Sequence, residues 1–197
     1  MGYSRATELL AAAGVTVLPG DVPPAPPPLV MVSVLVSCRS EDGRTDAWVD
    51  GWVHEENPDL VERANAGWFG LATEHGLFGT DREFLLGVPD DDGGRVLGWR
   101  RVRLRGEWDL VGAGAELLGS GAGRPEMTMS SLDGTVVMRI STYQSGVSSI
   151  VIAQPWRAPR LRGFMERLVE LAARPDQAGV AERSAADEWV RYVALHS

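Results

Sequence analysis

Hydrophobic and polar positions along the chain change period several times, and each change predicts an element. Ser4 is placed to cap a short helix through Ala13, which Gly14 ends in the position after its last turn. Pro19 to Pro28 holds six prolines in ten residues and reads as a stiff polyproline II connector. From Leu29 to Cys38 apolar residues alternate, with Val30, Val32, Val34 and Val36 on one side, which predicts a strand. A turn at Glu41-Asp42-Gly43 and a second strand, Thr45 to His54, would complete a hairpin with Trp48 and Trp52 on one face.

The period then becomes helical. Asn57 and Pro58 form a start signal, and Leu60, Val61, Ala64, Trp68, Leu71 and Ala72 make one stripe of a helix running to Gly76. Glu83–Val88 and Val96–Arg105 predict a hairpin around the Pro89–Gly94 turn. Gly112 to Gly123, with five glycines, predicts a mobile loop that tolerates deletion of 119–123. Thr135–Tyr143 and Val147–Ala153 form the clearest hairpin, closed at Gln144-Ser145-Gly146. Pro159 opens a helix with Leu161, Phe164, Met165, Leu168, Val169 and Ala172 inward, and a last helix from Val180 carries Trp189, Val190 and Val193.

Hairpins without strand–helix–strand crossovers predict an α+β fold: an antiparallel sheet built from hairpins, with helices packed mainly on one face. The hairpin–helix–hairpins–helix order resembles the Mog1/PsbP-like arrangement, a resemblance of topology that brings no functional residue with it. The expected division is an N-terminal helix and Pro-rich connector (1–28), one α+β domain (29–175), and a C-terminal helix packed on it (176–197). No internal repeat is visible.

Composition narrows the function. All 19 basic side chains are arginine, which excludes lysine Schiff bases, a P-loop lysine and a lysine general base. A net charge of −8 argues against nucleic acid, whose binding neutralises many phosphates. One cysteine, Cys38, excludes an intramolecular disulfide framework and reads as a buried structural thiol. The apolar stretch near the N-terminus is too short for a signal segment, and no run has membrane-spanning length. The expectation is a cytoplasmic protein that does not enter a membrane.

Candidate chemistry is sparse. His54, Glu55 and Glu56 lack the spaced second histidine of a zinc helix, so they read as end-of-strand residues, and His196 as a frayed tail. Gly119-Ser120-Gly121 does not match a nucleophile elbow. The glycines of 112–123 are followed by an extended Arg124–Thr128 rather than a helix, which speaks against a phosphate cradle. No cofactor, metal or catalytic residue is assigned. Charge, by contrast, is segregated: residues 41–62 carry eight acidic side chains against Arg44 alone, and 95–105 carry five arginines and no acid. On a strand, Arg101, Arg103 and Arg105 line one side and call for carboxylates or phosphates nearby. Glu107, Asp109 or the 41–62 segment would supply them internally. Otherwise the row, with Trp99 and Trp108 as anchors, is a docking strip for a protein partner with an acidic surface. The cluster Arg157, Arg160, Arg162 and Arg167 opposes a helix dipole and reads as a solvated face. The leading expectation is a non-enzymatic protein-binding factor: an immunity protein, chaperone or accessory subunit. A small-molecule-binding domain or carboxylate-based enzyme is the second, and a structural subunit of an assembly the third. A homo-oligomer is compatible with all of them.

Overall fold

A computed structural model describes residues 5–51, 58–89, 97–174, 176 and 178–196. Helix α1 (Arg5–Ala12) ends at Gly14, whose φ of 75° and close approach to the Glu107 carbonyl leave no room for a side chain. Strand β1 (Val15–Val17) follows, then the proline connector, helix α2 (Pro28–Val34), strand β2 (Arg44–Asp50) and helix α3 (Pro58–Glu74). Strands β3 (Glu83–Pro89), β4 (Leu97–Leu104), β5 (Glu126–Ser130), β6 (Val136–Tyr143) and β7 (Gly146–Ala153) come next. Helices α4 (Pro159–Ala172) and α5 (Val180–Ala194) complete the order.

All seven strands form one antiparallel sheet in the order β1-β4-β3-β5-β6-β7-β2, so the fold is α+β as its hairpins indicate. Strands β3–β4 and β6–β7 are the two expected hairpins, the second pairing Tyr143 with Gly146 across its turn. Helices cover both faces, whereas the sequence pattern placed them mainly on one. On one, α1, α3 and the loop after β4 bury Leu60, Trp68, Val102, Met129 and Val151 among others. On the other, α2, α4 and α5 bury Met31, Leu35, Val137, Ile152, Leu161 and Trp189.

Three further expectations change. The segment read as a strand over 29–38 is helical: α2 continues into a 3-10 turn at Leu35–Ser37. Pro27 is extended and Pro28 opens the helix with its φ already set. Val30, Met31, Val34, Leu35 and Cys38 are all buried, a spacing of a helical stripe, whereas Val36, which the strand reading placed on one face with Val30 and Val34, is exposed. Each β-branched residue costs about 0.5 kcal/mol in a helix, and each buried side chain returns about 1.5–3 kcal/mol, so packing decides. Strand β2 therefore pairs with β7, not with 29–38.

The second change is at 1–28, expected to be an appendage. Its Val-Thr-Val becomes the edge strand β1, registered Thr16 to Arg103. Third, the glycine-rich segment is organised, not a loose loop. It contains a 3-10 turn, Ala113–Glu116, and buries Leu110, Val111, Ala115 and Leu118. Asp109 accepts from the amides of Gly112 (2.7 Å) and Ala113 (2.9 Å), and Gly123 donates to the Val111 carbonyl (2.9 Å). Deleting 119–123 would remove that closure. On α5, Val190 is exposed while Trp189 is buried and Val193 half-buried.

Candidate functional site

Strand β4 alternates as expected: Val102 and Leu104 enter the core on one face while Arg101 and Arg103 stand on the other. What answers the arginines is Glu83, the first residue of β3, directly opposite Arg103 in the hairpin register. Its Oε2 accepts from Arg101 Nε (3.0 Å) and Arg101 Nη2 (2.6 Å), and its Oε1 accepts from Arg103 Nη2. These two guanidinium groups, Arg103 foremost, hold the Glu83 carboxyl below its ordinary value of 4.5, and Glu83 in turn raises Arg103. Asp81 lies 3.9 Å from Arg103 at the open edge of the cluster.

Glu83 was not among the expected suppliers, Glu107, Asp109 and the 41–62 segment. None of these pairs with the row among the described residues. The signal for Glu83 was present in the chain: folding 83–88 back on 96–105 sets its first residue against the far arginines. The turn into β3 carries Asp81 and Arg82 in left-handed conformations (φ 59° each), which costs roughly 1 kcal/mol apiece and aims Glu83 at the row. Arg105 is separate: its Nε donates to Thr16 Oγ1 at 3.1 Å on β1.

The side chains of Arg101 and Arg103 remain 38% and 43% exposed while that of Glu83 is 9% exposed. One buried carboxylate thus sits beneath two reachable cations, with Arg105 exposed beyond them. Neither expected tryptophan anchor stands free beside them. Trp99 is 8% exposed and donates its indole N–H to the Pro26 carbonyl (2.8 Å), which ties the proline connector to the sheet. Trp108 is half-buried, its ring 5.0 Å from Trp68 and 5.1 Å from Phe69 in an aromatic cluster over α3.

The remaining candidates fall as follows. Cys38 is buried and its thiol is pushed up to about 11, first by desolvation and then by Asp42, so it is no nucleophile at neutral pH. His54, Glu55, Glu56 and Trp52 lie outside the described residues, as does the 90–96 turn. His196 is pinned: its ring stacks 4.4 Å from Trp156, and its two nitrogens lie 2.9 and 3.0 Å from the Tyr192 and Asp133 carbonyls. Of the second basic cluster, Arg160 contacts Glu41 (3.2 Å) and Arg162 contacts Glu166 (3.5 Å). The buried Asp42 accepts from the Arg160 amide (2.9 Å), which puts a carboxylate at the α4 N-terminus and offsets the nearby cations. Among the described residues no three His, Cys, Asp or Glu side chains converge as a metal site requires, and no helix is long and apolar enough to cross a membrane.

Of the concavities that adjoin the helices among the described residues, two involve α5. One, about 310 Å³, lies between the proline connector, the start of β4 and α5, with Trp99, Glu188 and Arg191 among its walls. The other, about 510 Å³, is an open groove between α4 and α5 over Val169, Trp189 and Val193. Comparison with known proteins found no matching family model, curated protein or solved structure.

Proposed function

We propose that this chain is a non-enzymatic protein-binding factor, an immunity protein, chaperone or accessory subunit, that engages an acidic partner surface through Arg101, Arg103 and Arg105. The observation that carries the reading is the incomplete answer to the arginine row. Arg101 and Arg103 share one buried carboxylate, Asp81 reaches only Arg103 from the periphery, and Arg105 has no carboxylate partner among the described residues. On a chain of net charge −8 this local excess of positive charge stands against the overall field. Glu83 holds the Arg101 and Arg103 guanidinium groups in place, so a partner carboxylate meets groups whose rotamers are already restrained. Trp99 then serves the site by tying β4 to the connector rather than as a contact anchor, and Trp108 belongs to the aromatic cluster over α3.

The test uses a defined probe. A synthetic acidic peptide rich in Asp and Glu is titrated against the full chain at low and physiological salt, alongside an uncharged peptide of equal length. The Arg101→Ala/Arg103→Ala double variant is titrated in parallel, and its melting is followed. Salt-sensitive binding that the double variant loses while it is still folded at the titration temperature supports docking, since some fall in melting is expected from the unpaired Glu83. Binding unaffected by the substitutions, or none at low salt, overturns the assignment. A large fall in melting temperature with capture intact means that the arginines serve the fold.

A further inference from the structure

The 310 Å³ cleft has features that the arginine row does not use. Its outer wall is the proline connector, with Pro23 and Pro24 facing Leu97 and the Trp99 ring at the start of β4. The indole N–H of Trp99 bonds the Pro26 carbonyl, so floor and wall are joined, and consecutive prolines have little conformational freedom left to lose on binding a ligand. The result is a half-open cleft, apolar on its connector and β4 sides and formed in advance. Its volume is about twice that of the ~150 Å³ cavity that accommodates benzene, room for an aromatic or branched side chain with a small polar head.

The polar head would meet α5. Glu188 and Arg191 both line the cleft, three residues apart on one helix face, which sets their Cβ atoms about 5–6 Å apart. Each is steadied from its own helix. Ser184 Oγ donates to Glu188 Oε1 (3.0 Å), and Arg191 Nε donates to the Asp187 carbonyl (3.3 Å). Among the described residues the second Glu188 oxygen and both terminal Arg191 nitrogens have no partner. A simple carboxylate would satisfy Arg191 but lie beside the like charge of Glu188, and a simple amine would do the reverse. A ligand carrying both charged groups on one carbon satisfies both.

We propose that this cleft binds a free amino acid with a large apolar side chain. The α-carboxylate lies on the Arg191 fork, the α-ammonium on Glu188, and the side chain between Pro23, Pro24, Leu97 and Trp99. This site is independent of docking at the arginine row.

The test is calorimetric titration of the full chain with L-phenylalanine, 3-phenylpropionate, phenethylamine and glycine. Saturable binding of L-phenylalanine is expected. Loss of either charge from the ligand should weaken it about tenfold or more, and glycine should not bind. Glu188→Gln and Arg191→Gln should each weaken L-phenylalanine by a similar factor while leaving melting unchanged. No binding at millimolar ligand would overturn the site. So would equal binding of phenylpropionate, or affinity that both substitutions leave intact.

Discussion

Asn65 joins helix α3 to the glycine-rich segment, and its replacement by alanine tests whether that segment is held as described. Its Oδ1 accepts from the Val111 amide (3.1 Å) and the Trp68 indole (3.2 Å), and its Nδ2 donates to Asp109 Oδ1 (2.7 Å). Val111 and Trp68 are both fully buried. Truncation orphans two donors and strips one charge-assisted bond from a carboxylate that keeps its two amide partners, Gly112 and Ala113. An orphaned buried donor costs about 1–3 kcal/mol. Asn65 is only half-buried, so water reaches part of the gap and the low end applies to each loss. The sum is about 3 kcal/mol, or a fall of roughly 6–12 °C in melting temperature for a chain of this size. Calorimetry and urea unfolding measure it, with Glu62→Ala, exposed one turn earlier, as a control expected within about 0.5 kcal/mol. Limited digestion with a glutamate-specific protease adds a local readout, because the exposed Glu116 lies within the segment and should be cut faster in the variant. Destabilisation below about 1 kcal/mol with unchanged cleavage would refute the account of Asn65 as the tie.

Three other expectations follow from the same geometry. Glu83 has a folded value below its ordinary 4.5, so its ion pairs contribute stability above that pH that is lost as pH falls through the folded value. The stability gap between wild type and Glu83→Gln should therefore close on acidification, and a gap unchanged near pH 2 would contradict the pairing. Cys38, buried and shifted up to about 11, should resist a disulfide-exchange reagent at pH 8 for hours and react fully in denaturant. Native labelling at the rate of a free thiol would disprove its burial. Gly112→Ala drives a methyl into the Asp109 carboxylate and should cost about 1–3 kcal/mol, whereas Gly70→Ala, in open space on α3, should add about 0.5–1 kcal/mol. Equal effects of the two on thermal unfolding would rule out the close approach at Gly112.

Local signals in the chain were sufficient where an element's own pattern decided its state. Pro58, the stripe from Leu60 to Ala72 and the glycine at 76 marked α3, and Gln144-Ser145-Gly146 marked the β6–β7 hairpin, whose last turn residue, Gly146, is already paired in β7. They failed where a distant partner decided. Residues 30–36 fit a strand by alternation and a helix by the spacing of Val30, Met31, Val34 and Leu35. Only the presence of Val137, Ile152 and Leu161 across the interface selects the helix. The glycines at 112–123 looked mobile because the groups that restrain them, Asn65 and Asp109, cannot be paired with them by spacing alone. At the arginine row, alternation placed Arg101 and Arg103 on one face, but the expected suppliers were Glu107, Asp109 or the acidic 41–62 run. Register, not charge count, selected Glu83. The cleft under the connector was invisible for a similar reason: Trp99, Pro24 and Arg191 come from three distant parts of the chain.

The strand order also sets a timetable for the nascent chain. β1 and β2 are the first two strands to be synthesised, yet they occupy opposite edges of the finished sheet. Val15 waits for Leu104, and Arg44 waits for Ile152. Neither edge can close until most of the chain has left the ribosome, and closing loops of that length makes for slow, late-committing folding. During that interval the valine-rich 30–36 segment has neither its sheet face nor α4 to lie against. A stretch that could pair as a strand is then exposed in its least protected state. The prolines at 26–28 lie directly before it and lack the amide donors that extension of a strand in that direction would need, so the stiff connector also guards the chain while the sheet is incomplete.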